Sequence, residues 1–171
     1  MLLLLLLLAQ APAIDAVDPL QTPGARATVL IFVRTDCPIS NRYAPEIQRI
    51  AARFASEGVK FWLVYPDASE TAESIRKHRA EYRYDLGVFQ DPQHVLVKAA
   101  RARVTPQAAI FLPGRKLVYH GRIDDRYIDF GKARPAATTH DLEVALEAVV
   151  AGKPVPKETT RAVGCYLADL K

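Results

Sequence analysis

Two cysteines carry most of the reactive potential of this 171-residue sequence, and the first lies at a strand-to-helix junction. Cys37 stands in the stretch RTDCPIS, between the apolar run TVLIFV and the amphipathic run NRYAPEIQRIAARF. A helix N-terminus offers unpaired N–H groups and about half a positive charge, which stabilise a thiolate. The position therefore predicts a reactive thiol, and a buried structural thiol is the alternative interpretation.

The charged neighbours of Cys37 have opposing effects on the ionisation of its thiol. Arg34 and Arg42 favour a thiolate, whereas Asp36 opposes it if its carboxylate points inward. Burial against Val33 and Ile39 also opposes ionisation, because an apolar environment disfavours the charged form. We expect the helix end to dominate, so that the pKa of Cys37 lies below that of a free thiol and below that of Cys165.

Two prolines fall at positions where the backbone must change direction. Pro45 lies eight residues after Cys37 inside the helical pattern, where proline is expected to kink a helix. Thr105-Pro106 immediately precedes the apolar run QAAIFL. A cis bond between Thr105 and Pro106 would turn a carbonyl and an N–H toward the loop that carries Cys37.

The elements that must position these residues alternate along the chain. Apolar runs predict strands at 28–33, 60–65 and 87–90. Helical spacing predicts a helix after Cys37, a charged helix over 70–82 opened by a capping box of Asp67 and Glu70, and a helix capped by Asp91 with Pro92 in its first position. A hairpin turning at 113–114 follows, and then a last helix with its C-cap at Gly152.

This order predicts an α/β fold with one domain. The early alternation favours parallel strands with right-handed crossovers, and the hairpin adds antiparallel strands at one edge of a mixed sheet, with helices on both faces. The predicted domain spans 28–151. A leader loop at 14–27 precedes it, and a tail at 152–171 that carries Cys165 follows it.

The N-terminal sequence MLLLLLLLAQAPA resembles a secretory signal. Seven leucines in a row are followed by small residues in an A-x-A pattern, which predicts a signal peptide at 1–13. No Lys or Arg precedes the leucines, so a lipid-facing anchor or a mis-set start codon is the alternative. Export to the bacterial periplasm or the extracellular space would permit a disulfide.

The composition excludes some classes of partner. Half of the residues are apolar and a quarter are charged, which is typical of a globular domain. The net charge is +4, but no basic block is interleaved with aromatic residues, so nucleic acid is not an expected partner. A membrane is expected to be a partner only through an uncleaved signal, and the oligomeric state is left open.

The motifs around Cys37 together resemble the thioredoxin superfamily, over roughly residues 26–151. A strand, a cysteine, a helix with proline eight positions on, and Thr-Pro before a hairpin are similar to that pattern. The extra strand and helix around 87–101 resemble the insert of the redoxin branch, which includes AhpC/TSA peroxiredoxin-like and TlpA-like exported proteins. The resemblance implies a thioredoxin-like three-layer fold, with Cys37 as the attacking thiol and Pro106 as the cis-proline lining the substrate groove.

The sequence departs from both family signatures. The second cysteine of a C-x-x-C pair is here Ser40, so no local thiol can resolve a mixed disulfide. In the peroxiredoxin signature P-x-x-x-T-x-x-C, Leu30 stands at the proline position and Arg34 at the threonine position. Thr35 is one residue out of place, and Thr35 and an arginine are the candidates for hydrogen bonding to the thiolate.

Four functions therefore stay open. The first is an exported thiol-disulfide oxidoreductase that acts on protein or small-molecule thiols and disulfides without a cofactor, with Cys165, a second protein or a small thiol completing the reaction. The second is a peroxide reductase with an antioxidant role, in which Cys37 cycles through sulfenic acid. The others are a copper-binding module that uses Cys37 with Cys165 or His94, and a non-catalytic interaction domain. His78, His120 and His140 are expected at the surface.

Overall fold

The computed structural model describes residues 17–167, so the predicted signal peptide lies outside the described residues. The strands are β1 (Ala27–Phe32), β2 (Val59–Tyr65), β3 (Gly87–Gln90), β4 (Val104–Thr105), β5 (Gln107–Leu112), β6 (Lys116–Gly121), β7 (Tyr127–Asp129), β8 (Lys132–Ala133) and β9 (Cys165–Tyr166). Five of them form a central sheet in the order β3-β2-β1-β5-β6. The pairs β4-β9 and β7-β8 form two small separate sheets.

β1 is the centre of the sheet because both of its edges are paired and both of its faces are covered. It pairs with β2 in parallel and with β5 antiparallel, and all six of its residues are buried. Val29 and Ile31 join one hydrophobic cluster, whereas Leu30 and Phe32 join a second cluster on the opposite face. A continuous apolar run is expected of a strand covered on both sides.

In the described part of the chain, five α-helices cover the two faces: α1 (Pro38–Arg42), α2 (Ala44–Phe54), α3 (Ala72–Glu81), α4 (Val95–Ala100) and α5 (Asp141–Val150). α2, α3 and α5 contribute to the cluster of Val29, for example through Ile47 and Leu146. α4 contributes Leu96 to the cluster of Phe32. The structure thus confirms the predicted three-layer mixed α/β fold with an antiparallel hairpin.

The helix that follows Cys37 is interrupted rather than kinked. α1 ends at Arg42, Tyr43 separates the two helices, and Pro45 occupies the second position of α2. In the first turn of a helix the missing N–H of proline removes no intrahelical hydrogen bond. The expectation of one continuous helix kinked at Pro45 was therefore wrong.

The predicted caps of the next two helices were also placed wrongly. The capping box of α3 is Thr71 with Ser74, and Asp67 accepts instead from the backbone N–H and hydroxyl of Ser69. Asp91 and Pro92 lie before α4, which begins only at Val95. The Asp91 carboxylate nevertheless accepts the N–H groups of Val95 at 2.8 Å and of Val97 at 2.9 Å. At the end of α5 the C-cap is Ala151, and Gly152 follows it with φ +67°.

The tail after α5 is fastened to the domain on both sides of Cys165. Upstream, Thr160 N donates to His120 O, and Thr160 Oγ1 accepts from Arg122 N at 2.9 Å and pairs with Tyr119 Oη at 2.8 Å. The packing there is tight, because a Cβ on Gly121 would lie 2.1 Å from Thr160 Oγ1. Downstream, Leu167 N donates to Arg103 O. Cys165 is therefore held in place by its own segment.

Within residues 17–167, the helices are all too short or too polar to cross a membrane.

Thr160→Val tests whether this upstream anchor stabilises the fold. The substitution keeps the shape but removes the acceptor for Arg122 N and one partner of the Tyr119 hydroxyl, so a partly buried N–H loses its hydrogen bond. We expect the free energy of unfolding in urea to fall by about 1–3 kcal/mol. Thr159→Val, at an exposed neighbour, serves as control and should change it by less than about 0.5 kcal/mol. An equally small effect of Thr160→Val would contradict the anchoring role.

Candidate functional site

Cys37 lies at the start of α1, where the chain turns after β1. It is the N-cap residue, Pro38 follows in the first helical position, and the Cys37 carbonyl accepts from Asn41 N at 3.0 Å. Proline fits this position because its fixed φ suits a helix start and its missing N–H is not needed there. Only 1% of Cys37 is exposed, so the thiol lies beneath the surface.

The tail brings the second cysteine to the first. β9 pairs antiparallel with β4, and Cys165 is the register partner of Thr105. The two sulfur atoms lie 2.7 Å apart, both as free thiols, and Cys37 Sγ also lies 3.0 Å from Thr105 O. The peptide bond between Thr105 and Pro106 is cis. The residues before the hairpin therefore line the thiol pair, as their place in the sequence predicts.

Gly164 allows this close approach of the tail. A Cβ on Gly164 would lie 2.1 Å from Thr105 O and 2.6 Å from Thr105 C, both backbone atoms that cannot swing aside. Real side chains do not tolerate such distances. Glycine before Cys165 is therefore a condition for β9 to pair with β4.

The environment shifts the pKa values of the two thiols in opposite directions. Burial raises the pKa of Cys37, but hydrogen bonds from Cys165, from the hydroxyl and backbone N–H of Ser40, and from Thr105 together bring that pKa below its ordinary value. Burial, hydrogen bonding to Cys37 and the nearby Cys37 charge raise the pKa of Cys165 to about 12. At neutral pH Cys37 is therefore the better thiolate, and Cys165 is the proton donor beside it.

Two residues beside this sulfur carry buried hydroxyls that have no hydrogen-bond partner among the described residues. Within residues 17–167, Ser40 Oγ and Thr105 Oγ1 are buried and form no hydrogen bond to nitrogen or oxygen. Ser40 is 1% exposed and Thr105 is fully buried. A buried hydroxyl without a partner is costly, so both groups remain available to donate a hydrogen bond to a Cys37 thiolate.

Thr35 forms hydrogen bonds through its backbone to two side chains near the site. Its N–H donates to Glu70 Oε1 at 2.6 Å, and its carbonyl accepts from Asn41 Nδ2 at 3.1 Å. Burial raises the pKa of the Glu70 carboxyl more than the Thr35 hydrogen bonds lower it. Glu70 could not be assigned this contact from local sequence patterns, because its partner lies 35 residues away in the chain.

His78 continues this network into the core. The prediction that it lies at the surface was wrong. It is 3% exposed, its Nδ1 pairs with Tyr65 Oη at 2.8 Å, and its Nε2 pairs with Asn41 Oδ1 at 2.9 Å. Burial lowers the pKa of His78, which favours the neutral ring. The network fixes Asn41, and through it the Thr35 carbonyl next to the turn that carries Cys37.

The arginine nearest the site is already paired. Arg34 Nη2 lies 2.9 Å from Asp36 Oδ2 and 3.2 Å from Asp67 Oδ2. The Asp36 side chain is 67% exposed, so it points outward rather than toward the thiol. The Arg34 guanidinium is thus shared between two carboxylates.

The described residues do not gather the proposed copper ligands. His94 Nε2 pairs with Pro66 O at 3.0 Å and does not cluster with Cys37 and Cys165 within 17–167. A different set, Glu46, Asp124 and His140, places its oxygen and nitrogen atoms within 4.8 Å of one another, away from the thiols.

Many solved structures are similar to this chain, and three of them illustrate the range of similarity. An uncharacterized conserved protein from Geobacillus kaustophilus is 28% identical, with a TM-score of 0.72, covering 82% of this chain and 76% of its own. A hypothetical protein from Sinorhizobium meliloti is 26% identical, with a TM-score of 0.71, covering 84% of this chain and 79% of its own. The thioredoxin domain of a thiol-disulfide oxidoreductase from Bacteroides vulgatus is 15% identical, with a TM-score of 0.50, covering 57% of this chain and 70% of its own.

A search of curated proteins finds no match. The family model described as AhpC/TSA matches residues 16–120, which is more than half of the chain and includes Cys37, Ser40 and the Thr105–Pro106 bond. This match agrees with the thioredoxin-like fold, which is the fold of the redoxin branch. The chain therefore belongs to the AhpC/TSA family.

Proposed function

We propose that the protein is a thiol-disulfide oxidoreductase in which Cys37 attacks and Cys165 resolves. The observation that carries the proposal is the placement of the two sulfur atoms 2.7 Å apart by the pairing of β9 with β4. A small movement brings sulfurs at that distance to the bond length of a disulfide, about 2.05 Å. The substrates are protein or small-molecule disulfides and thiols, and the chemistry uses no cofactor.

The first step uses the thiolate of Cys37, whose pKa is lowered from its ordinary value. Its thiolate attacks one sulfur of a substrate disulfide, forms a mixed disulfide and releases the other substrate sulfur as a thiolate, which takes up a proton. Because Cys37 is 1% exposed and Cys165 lies against it, β9 moves away from β4 for the substrate to reach the thiolate. The β9–β4 pairing involves only two residues of each strand, so opening disrupts few hydrogen bonds.

The second step uses the return of Cys165. One cause of its raised pKa is the charge of Cys37, and that charge disappears once Cys37 is in a mixed disulfide. Cys165 then ionises more readily than in the reduced protein, attacks Cys37 Sγ and releases the second substrate thiolate. Ser40 cannot perform this step, but its hydroxyl and N–H stabilise the Cys37 thiolate.

Peroxide reduction is the second candidate, favoured by the AhpC/TSA family and by the two hydroxyls without partners. A sulfenic acid at Cys37 could receive hydrogen bonds from Ser40 and Thr105, and attack by Cys165 would release water and leave the same disulfide. The departures at Leu30 and Arg34 from the peroxiredoxin signature weigh against it.

We also propose that the protein is exported. The leucine run followed by AQAPA supports a cleaved signal, and an oxidising compartment would permit the internal disulfide. N-terminal sequencing of the mature protein from a cell fraction outside the cytoplasm tests this proposal. A cytoplasmic protein that keeps Met1 would contradict it.

The variants Cys37→Ser and Cys165→Ser distinguish the attacking thiol from the resolving thiol. With glutathione disulfide as substrate and a dithiol as reductant, we expect Cys37→Ser to lose turnover. With glutathione disulfide alone and no dithiol, Cys165→Ser should instead accumulate glutathione on Cys37, because the first step survives without the second. Intact-protein mass spectrometry measures the adduct. Wild-type turnover by Cys37→Ser would overturn the assignment of the attacking thiol, and hydrogen peroxide in place of the disulfide tests the second candidate.

Gly164→Ala tests whether the β9–β4 pairing positions Cys165. The added methyl group meets the Thr105 carbonyl, so β9 must shift, and we expect the internal disulfide to form roughly tenfold or more slowly. Gly152→Ala is the control, because its Cβ meets nothing within 4 Å and an alanine there is strained only by the φ of +67°. Alkylation of Cys37 should continue in both variants. Equal rates of disulfide formation in Gly164→Ala and wild type would contradict the positioning role.

A further inference from the structure

We propose that Glu46, Asp124 and His140 form a binding site for a divalent metal ion, and that zinc is the ion that fits it best. The three residues come from separate parts of the chain: the first turn of α2, the loop after β6, and the position directly before α5. One oxygen or nitrogen atom from each lies within 4.8 Å of the others. The site shares no residue with the thiol pair, and the proposal does not depend on the proposed function.

His140 lies near two carboxylates without forming a hydrogen bond to either. Its Nδ1 is 3.9 Å from Glu46 Oε1 and 3.7 Å from Glu143 Oε2, which is too long for a hydrogen bond. These separations are close to the roughly 3.4 Å between two ligands of one zinc ion, which binds nitrogen and oxygen at about 2.0–2.2 Å in a tetrahedral arrangement. The His140 side chain is 49% exposed, so it has room for the small rotation that metal binding requires.

Asp124 supplies a buried carboxylate whose second oxygen has no protein donor. The residue is 5% exposed. Its Oδ1 accepts from Tyr43 Oη at 2.5 Å and from Arg126 N at 2.9 Å, whereas no hydrogen bond from a residue within 17–167 reaches Oδ2. A carboxylate oxygen in so buried a residue is costly to leave without a partner. A cation at the site would supply that partner, and this argument is independent of the close approach of the three residues.

The two carboxylate ligands are held in place by other side chains. Tyr43 fixes Asp124, and burial together with this hydrogen bond raises the pKa of Tyr43, so the hydroxyl keeps the proton that it donates. Arg49 holds Glu46, with Nη2 2.7 Å from Oε1 and Nε 2.9 Å from Oε2. A carboxylate has about four lone-pair sites, so Arg49 leaves Oε1 able to bind a metal ion. Carboxylates that bind metals are themselves oriented by such hydrogen bonds.

The charges around the site favour a cation. The described residues of this ion-pair network and of the surroundings of Asp124 provide four carboxylates and three guanidinium groups, from Glu46, Asp124, Glu143, Glu147, Arg49, Arg53 and Arg126. The neighbouring Arg122–Asp141 pair is balanced. While His140 is neutral, one negative charge is therefore uncompensated, and it attracts a divalent cation.

The types of ligand select zinc among the common divalent ions. Magnesium and calcium prefer oxygen atoms alone, whereas zinc binds imidazole and carboxylate together and accepts water in the remaining position. Because the three ligands come from three segments, a bound ion would join α2 to the loop after β6 and to the start of α5. An ion that binds only the folded chain also stabilises it.

Isothermal titration with zinc chloride measures the affinity and the number of ions bound. The full chain is used without an affinity tag and with Cys37→Ser and Cys165→Ser, because thiolates bind zinc and would hide a second site. His140→Ala and Asp124→Asn are then added singly to this background protein. His120→Ala is the control, because it removes a histidine that pairs with Thr159 outside the proposed site.

We expect the background protein to bind one zinc ion per chain, and His140→Ala and Asp124→Asn each to weaken this binding at least about tenfold. His120→Ala should leave the affinity unchanged. Zinc should also raise the midpoint of thermal unfolding of the background protein, and His140→Ala should abolish that rise. The His140 side chain is half exposed, so this variant is expected to fold, and circular dichroism checks that it does.

The proposal is overturned if the background protein binds no zinc. It is also overturned if His140→Ala binds zinc as tightly as the background protein, since the ion would then be adventitious. Because the background protein lacks both thiols, neither result bears on the proposed reaction of Cys37 and Cys165.

Discussion

The site depends on one short backbone pairing, that of Thr105 with Cys165 between β4 and β9. It joins residues on the two sides of the site that are 60 positions apart in the chain, and it places one thiol 2.7 Å from the other. Gly164 permits it by leaving no Cβ against the Thr105 backbone, and Thr160 and Leu167 fix the segment on either side. A pairing of this length is too small to hold alone, so these anchors determine where Cys165 lies.

The pairing also explains why two identical side chains differ chemically. Cys37, at the start of α1, receives hydrogen bonds from Ser40 and Thr105, and these lower its pKa despite burial. Cys165 has the charge of Cys37 as its neighbour, which contributes to a pKa of about 12. Each thiol thus influences the pKa of the other. Once Cys37 is in a mixed disulfide, Cys165 is expected to become the attacking thiolate. Burial alone would have raised both pKa values.

The order of elements and the place of Cys37 could be predicted from the sequence because those signals are local. β1 is a continuous apolar run, and Cys37 with Pro38 marks a helix start. The expected pKa order of the two thiols agrees with the structure in direction, but its main cause differs. The hydrogen bonds of Ser40 and Thr105 contribute to it, and only the fold brings Thr105 to the thiol.

The parts that could not be predicted depend on distant contacts. β9 has two residues, too few for any pattern of alternation, and it exists only because β4 lies beside it. His78 sits in a polar helix typical of a surface, yet Tyr65 and Asn41 bury it through hydrogen bonds. At α3 the chain enters the helix four residues later than predicted, so Thr71 rather than Asp67 is the N-cap.

The most direct measurement is a peptide map of the oxidised protein without reductant. If Cys165 resolves Cys37, mild oxidation of the monomer yields one cross-linked peptide pair that contains both cysteines, and reduction separates it. The fraction of cross-linked protein should be close to complete and independent of protein concentration. Cysteines that remain separate under these conditions, or that link only between molecules, would contradict the central claim that the tail of each chain carries the resolving thiol to its own Cys37.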